Sequence, residues 1–157
     1  MIIGTNWFFG YSHCTLAKDR YVRENVADRH KIADIIEVYA KTGVDTIIGL
    51  ITMPVLAKAI QEGQDRTGRK IIVVSTPSLP VTPRTPFDGF DLGEVARILD
   101  EEAAGETAIC MPHTSTTDRM VDRCTRELRQ MDAVVKLIRE RGMIPSLEYP
   151  PSTQWGS

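Results

Sequence analysis

Four glycines, Gly43, Gly68, Gly105 and Gly142, each fall between a segment of helical periodicity and a short apolar run. A helix that must stop and turn back into a sheet favours a left-handed residue at its C-terminal cap, which glycine adopts without strain. The apolar runs read as strands: Ile2–Phe9, Thr46–Ile51, Lys70–Val74, Ala108–Met111 and Met143–Leu147. Between them lie four helical patterns. The first runs from Ala17 to Lys41, with Ile32, Ile35, Ile36 and Tyr39 at i, i+3, i+4, i+7 spacing. The second, capped by Thr52 with Pro54 in its first turn, carries Leu56, Ala59 and Ile60. In the third, Asp91 and Glu94 stand at capping-box spacing ahead of Val95, Ala96 and Leu99, with Leu92 on the same face. The fourth is one long helix from Arg119 towards Gly142, with Val121, Cys124, Leu128, Met131, Val135 and Ile138 in alternating steps of three and four.

Strict alternation of this kind predicts an α/β fold of repeated βα units, with a parallel sheet and right-handed crossovers. Five strands and four helices over residues 1–149 match the first part of a (β/α)8 barrel, which typically runs about 250 residues. The alternative is an open, five-stranded, doubly wound sheet. That fold calls for a fifth helix, which the Pro150-Pro151 tail of residues 150–157 does not supply. The expectation is therefore a single α/β domain of partial barrel type, the tail marking a truncation point. Its exposed sheet edges would be covered in a homo-oligomer or by a complementary half-barrel.

Composition narrows the class of partner. A net charge of −2 gives no basic field for nucleic acid, and no apolar run approaches the ~20 residues of a membrane span. The N-terminus lacks the layout of a secretion signal. Cys14, Cys110 and Cys124 are odd in number and without metal-ligand spacing. Cys110 in a strand and Cys124 on a helix face read as reduced core residues, and a cytoplasmic setting is the expectation. No glycine-rich phosphate cradle is present.

In both folds the functional face lies beyond the carboxyl ends of the strands. Those ends bring Asn6, Trp7, Tyr11 and His13, then Thr52, then Thr76 and Ser78, then His113, Thr114 and Ser115, and finally Glu148 and Tyr149. The stretch Thr107–Asp118 reads as strand, polar turn and helix start, with Ser115 to Asp118 offering the capping oxygens. An imidazole at that turn serves as acid, base, electrophile or ligand; its structural alternative is a histidine bonded to loop backbone. Glu148, closing an apolar strand, is the candidate general base, or else the partner of a nearby cation. His13, His113 and Glu148 together form a candidate site for one divalent metal ion. Pro77, Pro80, Pro83 and Pro86 recur every three residues, as in a polyproline II segment. This reads as a stiff loop over the site, with Arg84 available to an anionic substrate group; a ligand for an SH3-like partner is the alternative.

The Asn6-Trp7 pair after the first strand and His113 after the fourth resemble the layout of triosephosphate isomerase. There an Asn-Trp-Lys run supplies a substrate-binding Asn and Lys, and the strand-four His polarises the carbonyl. Phe8 stands here in place of the Lys. The wider likeness is to (β/α)8-barrel enzymes in general. It implies a lyase or isomerase acting on a small carbonyl, sugar or sugar-acid substrate. Glu148 would move a proton next to the carbonyl, while His113 and Asn6 stabilise the enolate oxygen. Trp7, Tyr11, Arg84, Thr114, Ser115 and Tyr149 would contact substrate. The other readings are a non-catalytic half-barrel for ligand binding or assembly, and a metal-dependent hydrolase.

Overall fold

Side-chain caps open several of the helices. The computed structural model describes residues 1–81, 91–122 and 124–147. The Thr15 hydroxyl accepts from the Lys18 amide at 3.2 Å and opens α1, Leu16–Asn25. Asp28 then accepts from the amides of His30 (2.9 Å) and Lys31 (3.3 Å) and opens α2, Arg29–Lys41. The single helix expected from Ala17 to Lys41 is thus two, because Asp28 offers a second cap. Helix α3, Pro54–Thr67, starts after Met53 with no side-chain cap. Thr52 does not play that part; Pro54, which has no amide hydrogen to satisfy, begins the helix. Helix α4, Leu92–Ala104, is capped by Asp91, which accepts from the Gly93 amide at 2.8 Å. Glu94 bonds Arg97.

The long fourth helix is interrupted. Helix α5 covers Thr114–Met120, and α6 covers Met131–Glu140. Between them strands β5 (Val121–Asp122) and β6 (Glu127–Leu128) form an antiparallel hairpin with Val121 opposite Leu128. Asp122 builds the turn: Oδ1 accepts from the Cys124 amide at 2.8 Å, and Oδ2 pairs with the Arg129 guanidinium. Arg126 and Gln130 take left-handed φ values of 62° and 58°, which no helix permits in its interior. Cys124 is consequently exposed in the turn and is not a core residue, whereas Cys110 is buried as expected.

Five parallel strands alternate with the helices: β1 (Ile3–Gly4), β2 (Thr46–Gly49), β3 (Ile72–Ser75), β4 (Ile109–Cys110) and β7 (Ile144–Pro145), hydrogen-bonded in that order. Registers include Ile3 opposite Ile47, and Ile109 opposite Ile144. The order follows the chain, an arrangement consistent with a partial barrel or with an open sheet. Gly43, Gly68 and Gly142 return the chain with positive φ, but Gly105 does not: the left-handed residue there is Glu106, at 56°.

Contacts divide the chain into two compact units, Met1–Val74 and Ser75 onward. In the first, Ile3, Ile32, Ile36, Ile47, Leu56, Ile60 and Val73 form an apolar core. Gly49 is required there, because a Cβ would stand 1.7 Å from the Thr5 hydroxyl oxygen. In the second, Leu79, Val95, Leu99, Cys110, Val134, Ile138 and Met143 pack together.

Candidate functional site

The sequence-derived site residues fall into a cluster in each unit. Arg84, Glu148 and Tyr149 lie outside the described residues, as do Pro83 and Pro86 of the proline-rich loop.

In the first unit, β1 runs into a 3-10 turn, Asn6–Phe9, that buries Phe8 and leaves Asn6 and Trp7 exposed. Ser12 fastens the loop that follows. Its amide and hydroxyl both donate to Asp19 Oδ1, at 2.8 and 2.5 Å, and these two bonds, the hydroxyl's first, hold the Asp19 carboxyl below its ordinary range. Gly10 has φ 73° and sits so close to the Asp19 carbonyl that a Cβ would meet it at 2.5 Å. His13 is left-handed, with φ 55°, and its Nε2 lies 3.2 Å from Asn6 Nδ2. Since Nδ2 can only donate, that imidazole accepts at Nε2 and a neutral ring carries its proton on Nδ1. The Lys18 ammonium stands 4.3 Å from the centre of the Trp7 ring, a cation–π contact. The structure therefore joins Asn6 to His13 and Trp7 to Lys18, while Tyr11 and Thr52 are exposed. Ser12, Asp19 and Lys18 carry no motif, and only folding reveals them.

In the second unit, the chain leaves β4 through Met111 and Pro112 to His113. Two backbone bonds fix that path: the Met111 amide donates to the Ser75 carbonyl at 2.9 Å, and the His113 amide to the Pro77 carbonyl at 3.0 Å. His113 itself is the N-cap of α5, in place of the expected oxygens of Ser115 to Asp118. Its Nδ1 accepts from the Ser115 amide at 3.2 Å and lies 2.8 Å from the Ser115 hydroxyl. A backbone N–H can only donate, so Nδ1 is unprotonated in this arrangement and the ring proton sits on Nε2. Among the described residues, Nε2 makes no hydrogen bond. The Ser115 amide and hydroxyl thus both lie against the same imidazole nitrogen. Thr116 is buried and accepts from the Leu79 amide at 3.0 Å, pinning the first turn of α5 to the β3 loop. Thr114, half-buried, opens that turn; Thr76 is buried and Ser78 exposed.

Behind this turn lies a buried polar group the sequence reading passed over. Glu102 is only 1% exposed and shares the core with Ser75, Thr107 and Cys110. Burial raises the Glu102 carboxyl above its ordinary range, the neighbouring Ser75 hydroxyl moderating the effect, and pushes the Cys110 thiol up to about 11. Burial thus favours the thiol over the thiolate at Cys110. The signal was legible in principle: Glu102 continues the Val95 and Leu99 stripe of α4.

Among the described residues no three His, Cys, Asp or Glu side chains gather as metal ligands. No helix among them is long and apolar enough to cross a membrane. The sequence matches no protein-family model and shows no significant similarity to curated proteins.

Proposed function

We propose that this chain is a barrel-type lyase or isomerase acting on a small carbonyl, sugar or sugar-acid substrate, with His113 as the electrophile. One observation carries the reading: the Ser115 amide occupies Nδ1, which leaves Nε2–H as the donor at the end of β4. Removing a proton from the carbon next to a carbonyl sends the electron pair onto the carbonyl oxygen. A preorganised N–H aimed at that oxygen stabilises the enolate as it forms. An imidazole that accepts at one nitrogen and donates at the other can do this without giving up its proton; triosephosphate isomerase uses a neutral histidine in the same way. The base is assigned from sequence alone, to Glu148.

Deuterium uptake from D2O tests the proposal, with a panel of small aldoses, ketoses and keto acids followed by NMR. For a turned-over substrate, deuterium enters the carbon next to the carbonyl. His113→Ala should slow uptake about 10²–10³-fold, the scale for loss of one oxyanion donor. His113→Asn retains a capping side chain but loses the Nε2 donor, and should fall equally far while keeping its helical circular dichroism. Unchanged exchange in both variants, or none with any compound in the wild type, overturns the reading.

A further inference from the structure

Among the described residues of the second unit, four buried oxygens have no hydrogen-bond partner: Gln130 Oε1 beside the hairpin, and Ser75 Oγ, Glu102 Oε2 and Thr107 Oγ1. Ser75 Oγ lies beside both the Glu102 carboxyl and the Cys110 thiol without meeting bonding geometry to either. A carboxylate sealed in this way needs a cation, and the described residues provide none. On its own helix the nearest charge is Glu101, which is itself paired with Arg97. From β4 the facing titratable group is the Cys110 thiol, and β3 contributes the Ser75 hydroxyl. Helix α6 puts Val134 and Ile138 into this core. Arg141, just beyond α6, spends its guanidinium on Asp100 (2.8 Å) and the Leu137 carbonyl (2.9 Å). An unpaired charge in such surroundings is far costlier than a neutral acid.

The same residues hold up the His113 turn. Ser75 offers its carbonyl to the Met111 amide, and Cys110 directly precedes Met111. Pro77, two residues beyond Ser75, holds the His113 amide. We propose that Glu102 is a protonated keystone beneath this turn, and that loss of its proton releases the Ser75–Met111 and Pro77–His113 bonds, so that alkaline pH switches the His113 turn from ordered to loose. Glu102 is a positioning residue in this scheme and touches no substrate. Ionisation places a charge against Ser75 and Cys110, and the cheapest relief is water entering between α4 and the β3–β4 ends. The switch depends on the proposed catalysis only for its use; the structural event stands without it.

The test reads amide hydrogen exchange of Met111 and His113 in the full chain, corrected for intrinsic rates, from about pH 5 to about pH 9, a range that brackets documented buried glutamates. In the wild type, protection at both amides should fall at least tenfold as pH rises. In Glu102→Gln, a neutral isostere, it should stay level. Infrared spectroscopy of the wild type alone supplies a second readout: a protonated-carboxyl band should vanish over the same pH interval in which protection falls. Level protection in the wild type, an equal fall in Glu102→Gln, or no protonated-carboxyl band overturns the proposal. If only the assigned reaction is wrong, deuterium uptake from D2O fails while the exchange transition persists.

Discussion

The two units place their ionisable side chains in opposite ways. In the first, charge lies on the surface of the α2–α3 pair, with Arg66 at its centre. Arg66 reaches Asp34 at 2.6 Å and also pairs with Glu37 and Glu62, while His30 and Arg29 meet Glu62 at 2.9 and 3.1 Å. Beneath them the core is apolar. The second unit draws acids inward, burying Glu102 outright and Asp122 nearly so. Surface partners exchange water for one another at little net gain, and a mobile charge there disturbs nothing below it. A buried acid has no such freedom: its protonation state and its surroundings must change together. Sensitivity to pH is therefore expected in the unit that carries His113.

If that contrast is right, the first unit should respond to packing far more than to pH. Ile36 is fully buried and touches Gly63, where even an added methyl carbon would stand 2.7 Å from its Cγ2. Ile36→Ala should destabilise the first unit by about 2–5 kcal/mol. Denaturant unfolding followed through amide exchange in α2 and α3 measures it. The loss should be level between about pH 6 and about pH 9, where no carboxylate of ordinary pKa titrates. A loss below about 1 kcal/mol would mean that the α2–α3 contact is not what holds this unit together.

Within the second unit folding shifts the two buried acids in opposite directions. The Arg129 guanidinium, then the Cys124 amide, hold the Asp122 carboxyl down at about 2, below its model-peptide value of 3.8. The folded hairpin therefore binds fewer protons than the unfolded chain between those values. Its stability from this group is present above pH 3.8 and lost as pH falls towards 2. Glu102 binds its proton more tightly folded than unfolded, so its contribution declines as pH rises from the ordinary carboxylate range. Asp122→Asn should flatten the acid decline in protection of the Arg129 amide, which donates to the Met120 carbonyl at 3.1 Å. It should leave the alkaline transition at Met111 untouched. A variant that moves both limbs would show one coupled unit of unfolding in place of two local devices.

How far these features were readable from residues alone follows from how local their causes are. The βα alternation, the parallel strands and the position of His113 after β4 come from short-range periodicity and turn residues, and the structure has them. The break at Asp28 was missed although Asn25, Asp28 and Arg29 interrupt the apolar spacing between Val22 and Ile32. The hairpin was missed because Val121 and Leu128 satisfy helical spacing and cross-strand pairing alike. Only the Asp122 turn decides between them, through bonds to Cys124 and Arg129. His113 was recognised by place, and its bond to backbone was one of the two readings; that the partner is the Ser115 amide depends on a side-chain rotamer that no pattern encodes. Glu102 needed only the α4 stripe carried one step further, past the point where an acid would ordinarily mark the solvent face.

The smallest effect expected is also the one most able to undo the contrast. Arg66 has three acidic partners, Asp34, Glu37 and Glu62, and a count of ion pairs would make it the first unit's main support. Its side chain is nevertheless about one-third exposed, at 31%, and Asp34 is more exposed still. Water and salt compete for each pair, and ordering the long side chains offsets much of the attraction. Arg66→Met retains the stem that covers α3 and removes the charge. It should shift the unfolding midpoint slightly at low ionic strength and not measurably in about 1 M salt, where screening is nearly complete. A salt-independent loss as large as that of Ile36→Ala would show that the first unit too depends on desolvated charge. The difference between the units would then be one of degree, and alkaline sensitivity could no longer be assigned to the burial of Glu102 alone.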